Sequence, residues 1–173
     1  MKRLFLMIPL LAAFGFICSC SKDSDEPARE NQWKANFDGK DSVYTITKAT
    51  LQTVSGRQHL SIITELNKTC FDMYVNAPNI TTKEYPIASP FSYPFPDEYA
   101  CCYYRILQPN SYYTARAFVS TVASPEYKVV ITELSDTKVK GTIKFKGVDQ
   151  GYNTSGEMVI SASFSTDLLE TGN

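Results

Sequence analysis

Hydrophobic and polar residues alternate in short runs along most of the chain, from Trp33 to about Ser165. A two-residue period is typical of strands with one buried face, and no stretch shows the 3.6-residue apolar period of an amphipathic helix. Turn residues separate the runs, and Asp38-Gly39 and Ser55-Gly56-Arg57 each predict a hairpin. The predicted strands are 33–37, 43–46, 49–54, 58–64, 70–75, 99–107, 112–122, 127–134, 139–145 and 157–165.

This pattern predicts an all-β domain over residues 32–166, followed by a short C-terminal tail, 167–173. The expected fold is a single antiparallel β-sandwich or flattened barrel of about eight to nine strands. Alternation is clearest in 138–146, where one face is apolar and the other carries four lysines. We favour protection of an exposed strand edge against aggregation over an anion-binding patch, because no aromatic or arginine residues interleave those lysines.

The composition changes in the segment from Pro78 to Pro109, which holds six of the nine prolines together with many aromatic residues. Proline cannot donate to a central ladder, so the pattern predicts a long loop or a sheet edge. Aromatic rings on such a loop can stack on a ligand, or fold back to cap the end of the sheet. The candidate ligand-binding residues are Phe91, Tyr93, Phe95 and Tyr99.

The first 19 residues have the order of a signal peptide, with Lys2 and Arg3 ahead of an apolar stretch, 4–17. At about 14 residues the stretch is too short to span a bilayer, which takes roughly 20, so we expect no transmembrane helix. Ile17-Cys18-Ser19-Cys20 resembles a bacterial lipobox, with an aliphatic residue three positions before the modified cysteine. The resemblance implies cleavage before Cys20 and a lipid anchor on Cys20.

Residues 20–31 follow as an acidic, flexible tether. Its run Ser21-Lys22-Asp23-Ser24-Asp25-Glu26 resembles the export signal of Bacteroidetes surface lipoproteins. The resemblance implies a lipid-anchored protein of the outer membrane, displayed at the cell surface, with the periplasmic face as the alternative. The membrane is then a partner through the anchor.

Charge and cysteine usage exclude several classes of site. A formal net charge of -1 argues against nucleic acid as a partner, because phosphate binding needs a basic face. An oxidising envelope permits a disulfide from Cys70 to either Cys101 or Cys102, and adjacent strand residues point to opposite faces, so only one of them can face Cys70. We expect no metal site and no cofactor, since there is no C-x-x-C pair in the domain and His59 is the only histidine.

No catalytic residues are predicted. His59 is the only conventional base, and it lies in an alternating strand on the other face from Leu60 and Ile62. A surface or hydrogen-bonded histidine is expected there. Carboxylates alone can hydrolyse glycosides, but spacing in sequence does not bring acids together in the fold. The four acids considered are Glu65, Asp72, Asp97 and Glu98.

The domain looks like a family of small Bacteroidetes surface lipoproteins that share a domain of unknown function. The matching segments are Trp33-Lys34-Ala35-Asn36-Phe37-Asp38-Gly39 and 128–145, which reads K-V-V-I-T-E-L-S-D-T-K-V-K-G-T-I-K-F. The resemblance implies an envelope β-fold and carries over no functional residues. Asp41-Ser42-Val43 also resembles the O-glycosylation motif of exported proteins from those bacteria, which makes Ser42 a candidate glycosylation site.

These observations favour a non-enzymatic, lipid-anchored envelope protein that binds a glycan or another envelope protein through its aromatic, proline-rich loop. Two alternatives stay open. A structural or assembly component would bury the loop and use an exposed strand edge. A lipocalin-like carrier of a small apolar ligand would enclose a cavity lined by inward-facing residues.

Overall fold

The structure is a computed structural model that describes residues 28–37, 39–91, 94–107, 114–120, 124–150 and 156–169. The predicted signal peptide, the predicted acylation site Cys20, most of the predicted tether and Tyr93 lie outside the described residues. The described part of the chain contains no helix, and therefore none that is long and apolar enough to cross a bilayer.

Ten strands make up the domain, which confirms the all-β prediction. They are β1 (Gln32–Phe37), β2 (Lys40–Val54), β3 (Arg57–Glu65), β4 (Thr69–Ala77), β5 (Glu84–Pro86), β6 (Tyr99–Leu107), β7 (Thr114–Ser120), β8 (Lys128–Leu134), β9 (Lys138–Asp149) and β10 (Glu157–Asp167). Every pairing between these strands is antiparallel.

Eight of the strands close on themselves in the order β10-β1-β2-β3-β4-β6-β7-β9, so the fold is a barrel and not a two-sheet sandwich. β9 closes the barrel. One edge of β9 pairs with β10 along its length, and its other edge pairs first with β8 and then with β7. β5 extends β8 and reaches β6 through an isolated bridge between Ile87 and Ala100. Closure leaves few bare edges for other chains to pair with.

Two differences from the predicted strands have local causes. Residues 43–46 and 49–54 are parts of one strand, β2, because a bulge between Ile46 and Lys48 interrupts the alternation without ending the ladder. β5 lies inside the proline-rich region at the end of the strand order, where the missing N–H of Pro86 is tolerated.

The turns follow from residues that accept a left-handed backbone. Ser55 and Gly56 have φ values of 52° and 77°, which closes the predicted β2–β3 hairpin as a two-residue turn. Asn67 and Lys68 have φ values of 45° and 68° and make the equivalent turn between β3 and β4.

The inward side chains fill the barrel. Trp33 is fully buried at its centre and stacks on Phe71 and Phe164, with ring centroids 5.4 and 5.5 Å away. Gly141 faces Phe164 across the β9–β10 ladder, and a Cβ at Gly141 would approach the Phe164 ring to 2.6 Å. The absent side chain makes room for the aromatic stack, so the apolar face of the lysine-bearing strand is part of a close-packed core.

The cysteines correct one prediction. Cys70, Cys101 and Cys102 are free and buried. Cys70 pairs with Arg105, whereas Cys101 pairs with Tyr74, so the two thiols lie about 13 Å apart along the strands, given about 3.3 Å per residue. Cys102 belongs to the core, on the opposite face of the sheet from Cys70. A disulfide needs Cα atoms within about 7 Å, and the predicted bond to Cys70 is not formed.

The ends of the domain are tied to each other. Asn31 accepts hydrogen bonds from the Thr166 hydroxyl and the Asp167 N–H, and the Leu169 N–H donates to the Ala49 carbonyl. The last residues of the predicted tether and the first of the predicted tail are therefore held against the barrel.

Candidate ligand-binding site

A cleft of about 300 Å³ lies on the outside of the barrel, against the outer faces of β3, β4 and β6. It is covered by the segment between β5 and β6, which we call the cleft loop (residues 88–91 and 94–98). The described residues that line it are His59, Leu60, Tyr74, Val75, Asn76, Pro90, Phe95, Tyr99, Cys101 and Tyr103. Its volume is at the lower end of the range for small-molecule sites.

Strand alternation places the wall of the cleft. Tyr74 pairs with Cys101, and His59 pairs with Asn76, so these four side chains project on the same outer side of three neighbouring strands. Their immediate neighbours Leu60 and Val75 are core residues. The wall is therefore as rigid as the core behind it.

Hydrogen bonds fix both ends of the cleft loop. At its start, the Ala88 N–H donates to the Ala100 carbonyl at 2.8 Å, and the Ala88 carbonyl accepts from the Ser120 hydroxyl at 3.2 Å. At its end, Arg57 donates to the Asp97 carbonyl, and Lys83 binds both oxygens of Glu98 at 2.7 Å. The loop is thereby held over the wall.

Two aromatic pairs shape the cleft. Phe95 of the cleft loop stacks on Tyr99, with ring centroids 4.8 Å apart and planes 13° apart. Tyr74 and Tyr103 of the wall meet edge to face, with centroids 6.1 Å apart. Phe95 and Tyr74 are each 40% exposed, so apolar ring surface faces solvent at the cleft.

Three polar groups of the cleft are kept neutral by burial. Burial raises the pKa of the Tyr103 hydroxyl to about 12 and the pKa of the Cys101 thiol to about 11. Burial also raises the pKa of Tyr74. These groups stay protonated at physiological pH, and the Cys101 thiol is a poor nucleophile because little thiolate is present.

One hydrogen-bonded chain runs along the polar edge of the cleft. Arg57 Nε donates to Asn76 Oδ1 at 2.9 Å, and Asn76 Nδ2 donates to Tyr99 Oη at 3.4 Å. Arg57 thus connects the β2–β3 hairpin, the wall and the cleft loop.

A buried ion pair continues the same outer face. Arg105 Nη2 lies 2.5 Å from Asp72 Oδ2, and their side chains are 34% and 6% exposed. Asp72 Oδ1 and Arg105 Nε have no hydrogen-bond partner among the described residues. Burial raises the pKa of Asp72, and the attraction of Arg105 opposes that shift only in part.

The predicted binding residues divide into three groups. Phe95 and Tyr99 line the cleft. Phe91 lies on the cleft loop but is 72% exposed and is not among the described lining residues. Tyr93 is outside the described residues.

The sequence analysis did not identify four residues of the wall, Tyr74, Asn76, Cys101 and Tyr103, as part of a site. It gave His59, which is also in the wall, no binding role. The signal was present in part, since alternation puts Tyr74 and Asn76 on the polar side of β4. The alternation of polar and apolar residues does not show that β4 pairs with β6, and this pairing is what brings Tyr74 and Tyr103 together.

The acids considered for catalysis do not converge on the cleft. The described lining residues include no carboxylate, and Asp72 and Glu98 are paired with Arg105 and Lys83. His59 lines the cleft. Among the described residues, no group of three or more histidine, cysteine or acidic side chains is placed to hold a metal ion.

The four lysines of β9 are each within 4 Å of a glutamate. Their partners are, in order along the strand, Glu30 at 3.3 Å, Glu133 at 2.6 Å, Glu126 at 3.4 Å and Glu157 at 2.6 Å. β9 is paired along both edges, so the prediction that its lysines protect an exposed strand edge is wrong. Their ion pairs indicate an ordinary solvated face and not an anion-binding patch.

Ser42 lies in β2 directly opposite Ala35, whose side chain is in the core. Ser42 is therefore on the inward side of the strand, and it is half-buried. Glycosylation requires an accessible hydroxyl, and an inward position does not favour it. The glycosylation of Ser42 stays a prediction.

Comparison of the chain with protein-family models, with curated proteins and with solved structures finds no significant match. The resemblance to Bacteroidetes surface lipoproteins therefore stays a prediction, and function has to be argued from the cleft.

Proposed function

We propose that this protein is a lipid-anchored envelope protein that binds a glycan, without catalysis, in the cleft on its barrel wall. The observation that carries the proposal is the combination of exposed aromatic rings and fixed polar groups in one cleft of about 300 Å³. Sugar rings have apolar C–H faces and polar rims, so they suit a site with aromatic walls and a few placed hydrogen-bonding groups.

The barrel interior supports an external site. Inward positions carry large side chains such as Trp33, Phe71 and Phe145, all fully buried. A lipocalin-like carrier would use this volume for its ligand. The lack of a carboxylate among the described lining residues supports binding without hydrolysis.

The anchor part of the proposal rests on the N-terminal sequence. Its test is metabolic labelling with palmitate in the native bacterium. We expect the label to disappear in Cys20→Ala and to persist in Cys18→Ala. Protease treatment of intact cells then separates surface display from the periplasmic face, since only a displayed domain is digested.

Glycan binding is tested by calorimetry on the mature chain (residues 20–173, with Cys20→Ser) against a panel of host and microbial oligosaccharides. Tyr74→Ala should weaken binding by about tenfold or more, because a stacked ring is worth about 1.4 kcal/mol at this scale. Phe91→Ala is the control, since it removes an exposed aromatic ring that is on the cleft loop but is not among the residues that line the cleft. The proposal fails if the folded chain binds no saccharide in the panel, or if Tyr74→Ala binds as well as the wild type.

A protein partner is the second candidate, and Phe91 favours it. A phenylalanine that is 72% exposed on an anchored loop is the kind of residue that buries itself in a partner. If Phe91→Ala abolishes capture of an envelope protein by the intact lipoprotein in cross-linking, while Tyr74→Ala leaves it unchanged, the loop and not the cleft is the binding surface.

A further inference from the structure

The orientation of the Asn76 side chain decides what the cleft can recognise. Arg57 Nε can only donate, so the Asn76 atom that faces it at 2.9 Å must be the amide oxygen. The Asn76 NH₂ group is then turned toward Tyr99 and the cleft. Arg57 thereby fixes a donor, and not an acceptor, at the polar edge.

The Tyr99 hydroxyl adds a second donor. Its oxygen accepts from Asn76 Nδ2 at 3.4 Å, which leaves its own hydrogen to donate elsewhere. The NH₂ group has a second hydrogen as well. A ligand atom that contacts the Asn76 NH₂ group must therefore be a hydrogen-bond acceptor, since Nδ2 can only donate, and the Tyr99 hydrogen can be donated to the same atom.

The charges around the cleft favour a neutral acceptor. Arg57 is engaged by Asn76 and the Asp97 carbonyl, Lys83 by both Glu98 oxygens, and Arg105 by Asp72. A carboxylate would enter a partly dehydrated site in which Lys83 and Arg105 are already ion-paired and Arg57 is already hydrogen-bonded to Asn76 and the Asp97 carbonyl, so its desolvation cost would be large. A neutral carbonyl oxygen avoids that cost.

The rest of the wall is apolar. The buried Cys101 side chain and the crossed rings of Tyr74 and Tyr103 offer a surface on which a methyl group can pack. A ligand that matches these features has a sugar ring, a neutral carbonyl and a small apolar group.

We propose that the cleft recognises an acetamido sugar, whose acetamido carbonyl accepts from Asn76 Nδ2 and the Tyr99 hydroxyl, and that Arg57 is the positioning residue that orients Asn76. This inference rests on the proposed glycan-binding function and names the ligand class.

The test compares oligosaccharides by calorimetry on the mature chain. The probes are the trimer of N-acetylglucosamine, the trimer of N-acetylgalactosamine, the trimer of glucose and the deacetylated glucosamine trimer. We expect at least one acetylated trimer to bind about tenfold or more tightly than both the glucose trimer and the deacetylated trimer, because a lost carbonyl leaves the donors at this edge unpaired.

Three variants locate the recognition. Asn76→Asp keeps an acceptor for Arg57 but removes the NH₂ donor, so we expect about a tenfold loss for the acetylated trimer and a smaller loss for the glucose trimer. Tyr99→Phe removes one hydroxyl and should cost about threefold. Arg57→Met lets the Asn76 amide turn over and also removes the hydrogen bond to the Asp97 carbonyl, so both trimers should bind more weakly and the preference for the acetylated trimer should fall.

Each result has a separate meaning. Equal binding of acetylated and non-acetylated trimers overturns the acetamido inference and leaves glycan binding intact. Retention of the preference in Asn76→Asp, with an unchanged thermal midpoint, also overturns it. No saccharide binding by a folded chain overturns the proposed function together with the inference.

Discussion

Two parts of the outer barrel wall obey the same strand alternation and differ in nearly everything else. The lysine face, the outer side of β9, carries four lysines that pair with glutamates in water. The cleft face, the outer side of β3, β4 and β6, carries aromatic rings, a covered cleft and the buried Asp72–Arg105 pair. One face is solvated, whereas the other is partly dehydrated.

The difference identifies where interactions are strong. When an ion pair forms at a solvated surface, two charged groups give up part of their hydration for one contact, at little net gain in stability. On the cleft face, the same kinds of group lose hydration and are left with unpaired atoms, as Asp72 Oδ1 and Arg105 Nε are. Buried polar groups without full partners destabilise a fold. Their presence on the cleft face, and not on the lysine face, points to the cleft face as the functional one.

The largest expected contrast comes from breaking the buried pair. Arg105→Met leaves the Asp72 carboxylate buried without its cation and should destabilise the fold by about 3 kcal/mol, at the low end for buried pairs because Arg105 is a third exposed. Urea unfolding at pH 7 measures the loss. In the double variant Asp72→Leu/Arg105→Met most of the stability should return, since no charge is then stranded; an equally unstable double variant would show that packing by Arg105, and not charge, matters.

The second test concerns the inner side of the lysine-bearing strand. Gly141→Ala would place a Cβ 2.2 Å from the Val130 carbonyl oxygen and 2.6 Å from the Phe164 ring, so overpacking should cost about 2 kcal/mol or more. The neighbouring Thr142→Ala, on the exposed outer side, is the matched control and should change the unfolding free energy by less than about 0.5 kcal/mol. If both variants are equally stable, the core at Phe164 is more adaptable than its contacts indicate.

A smaller contrast appears in the pH dependence, where the two faces should have opposite signs. Burial raises the pKa of Asp72 in the fold, so its contribution to stability is present in full below its unfolded pKa of 3.8 and is lost as pH rises through the folded pKa. The hydrogen bond from Lys140 lowers the pKa of Glu133, so its contribution is present above its unfolded pKa of 4.5 and is lost as pH falls.

Urea unfolding between pH 3 and pH 7 checks these signs. The wild type should gain stability relative to Asp72→Asn as the pH is lowered, and lose stability relative to Glu133→Gln over the same range. Slopes of the same sign for both variants would contradict the assignment of Asp72 as a carboxylate dominated by burial.

The smallest effect is expected on the lysine face. Lys144 and Glu126 are about half exposed and 3.4 Å apart, so Lys144→Ala should change the unfolding free energy by less than about 0.5 kcal/mol. A salt titration of the wild type and the variant measures what remains, and the difference should shrink further at high ionic strength. A loss above about 1 kcal/mol would mean that the lysine face acts as a coupled network.

Much of the fold could be predicted because its determinants are local. Ser55-Gly56 specifies a tight hairpin through positive φ angles, and the alternation of 138–146 places Phe145 in the core whatever its partners are. The β2 bulge was missed because one extra residue disturbs the two-residue period and reads as a strand end. The same logic separated Cys101 from Cys102 correctly but could not give the distance to Cys70, which depends on register.

Only the loop side of the candidate site was within reach of sequence. Phe95 and Tyr99 belong to a segment whose prolines and aromatic residues mark it as a loop. Tyr74, Asn76 and Tyr103 read as ordinary strand residues until pairing brings β4 beside β6. Arg57 lies 40 residues from Asp97 in sequence, and nothing local predicts that it holds both Asn76 and the cleft loop.

By itself, the sequence determined the all-β class, the position of most turns, the core face of each well-patterned strand and the N-terminal lipoprotein prediction, because each depends on neighbours within a few residues. Only the tertiary structure decided that the sheet closes into a barrel, that Cys70 lies out of bonding distance of Cys101 and Cys102, and that a cleft forms outside the wall. Those features depend on strand order and register, which are set by packing between residues far apart in the chain and leave no periodic trace along it.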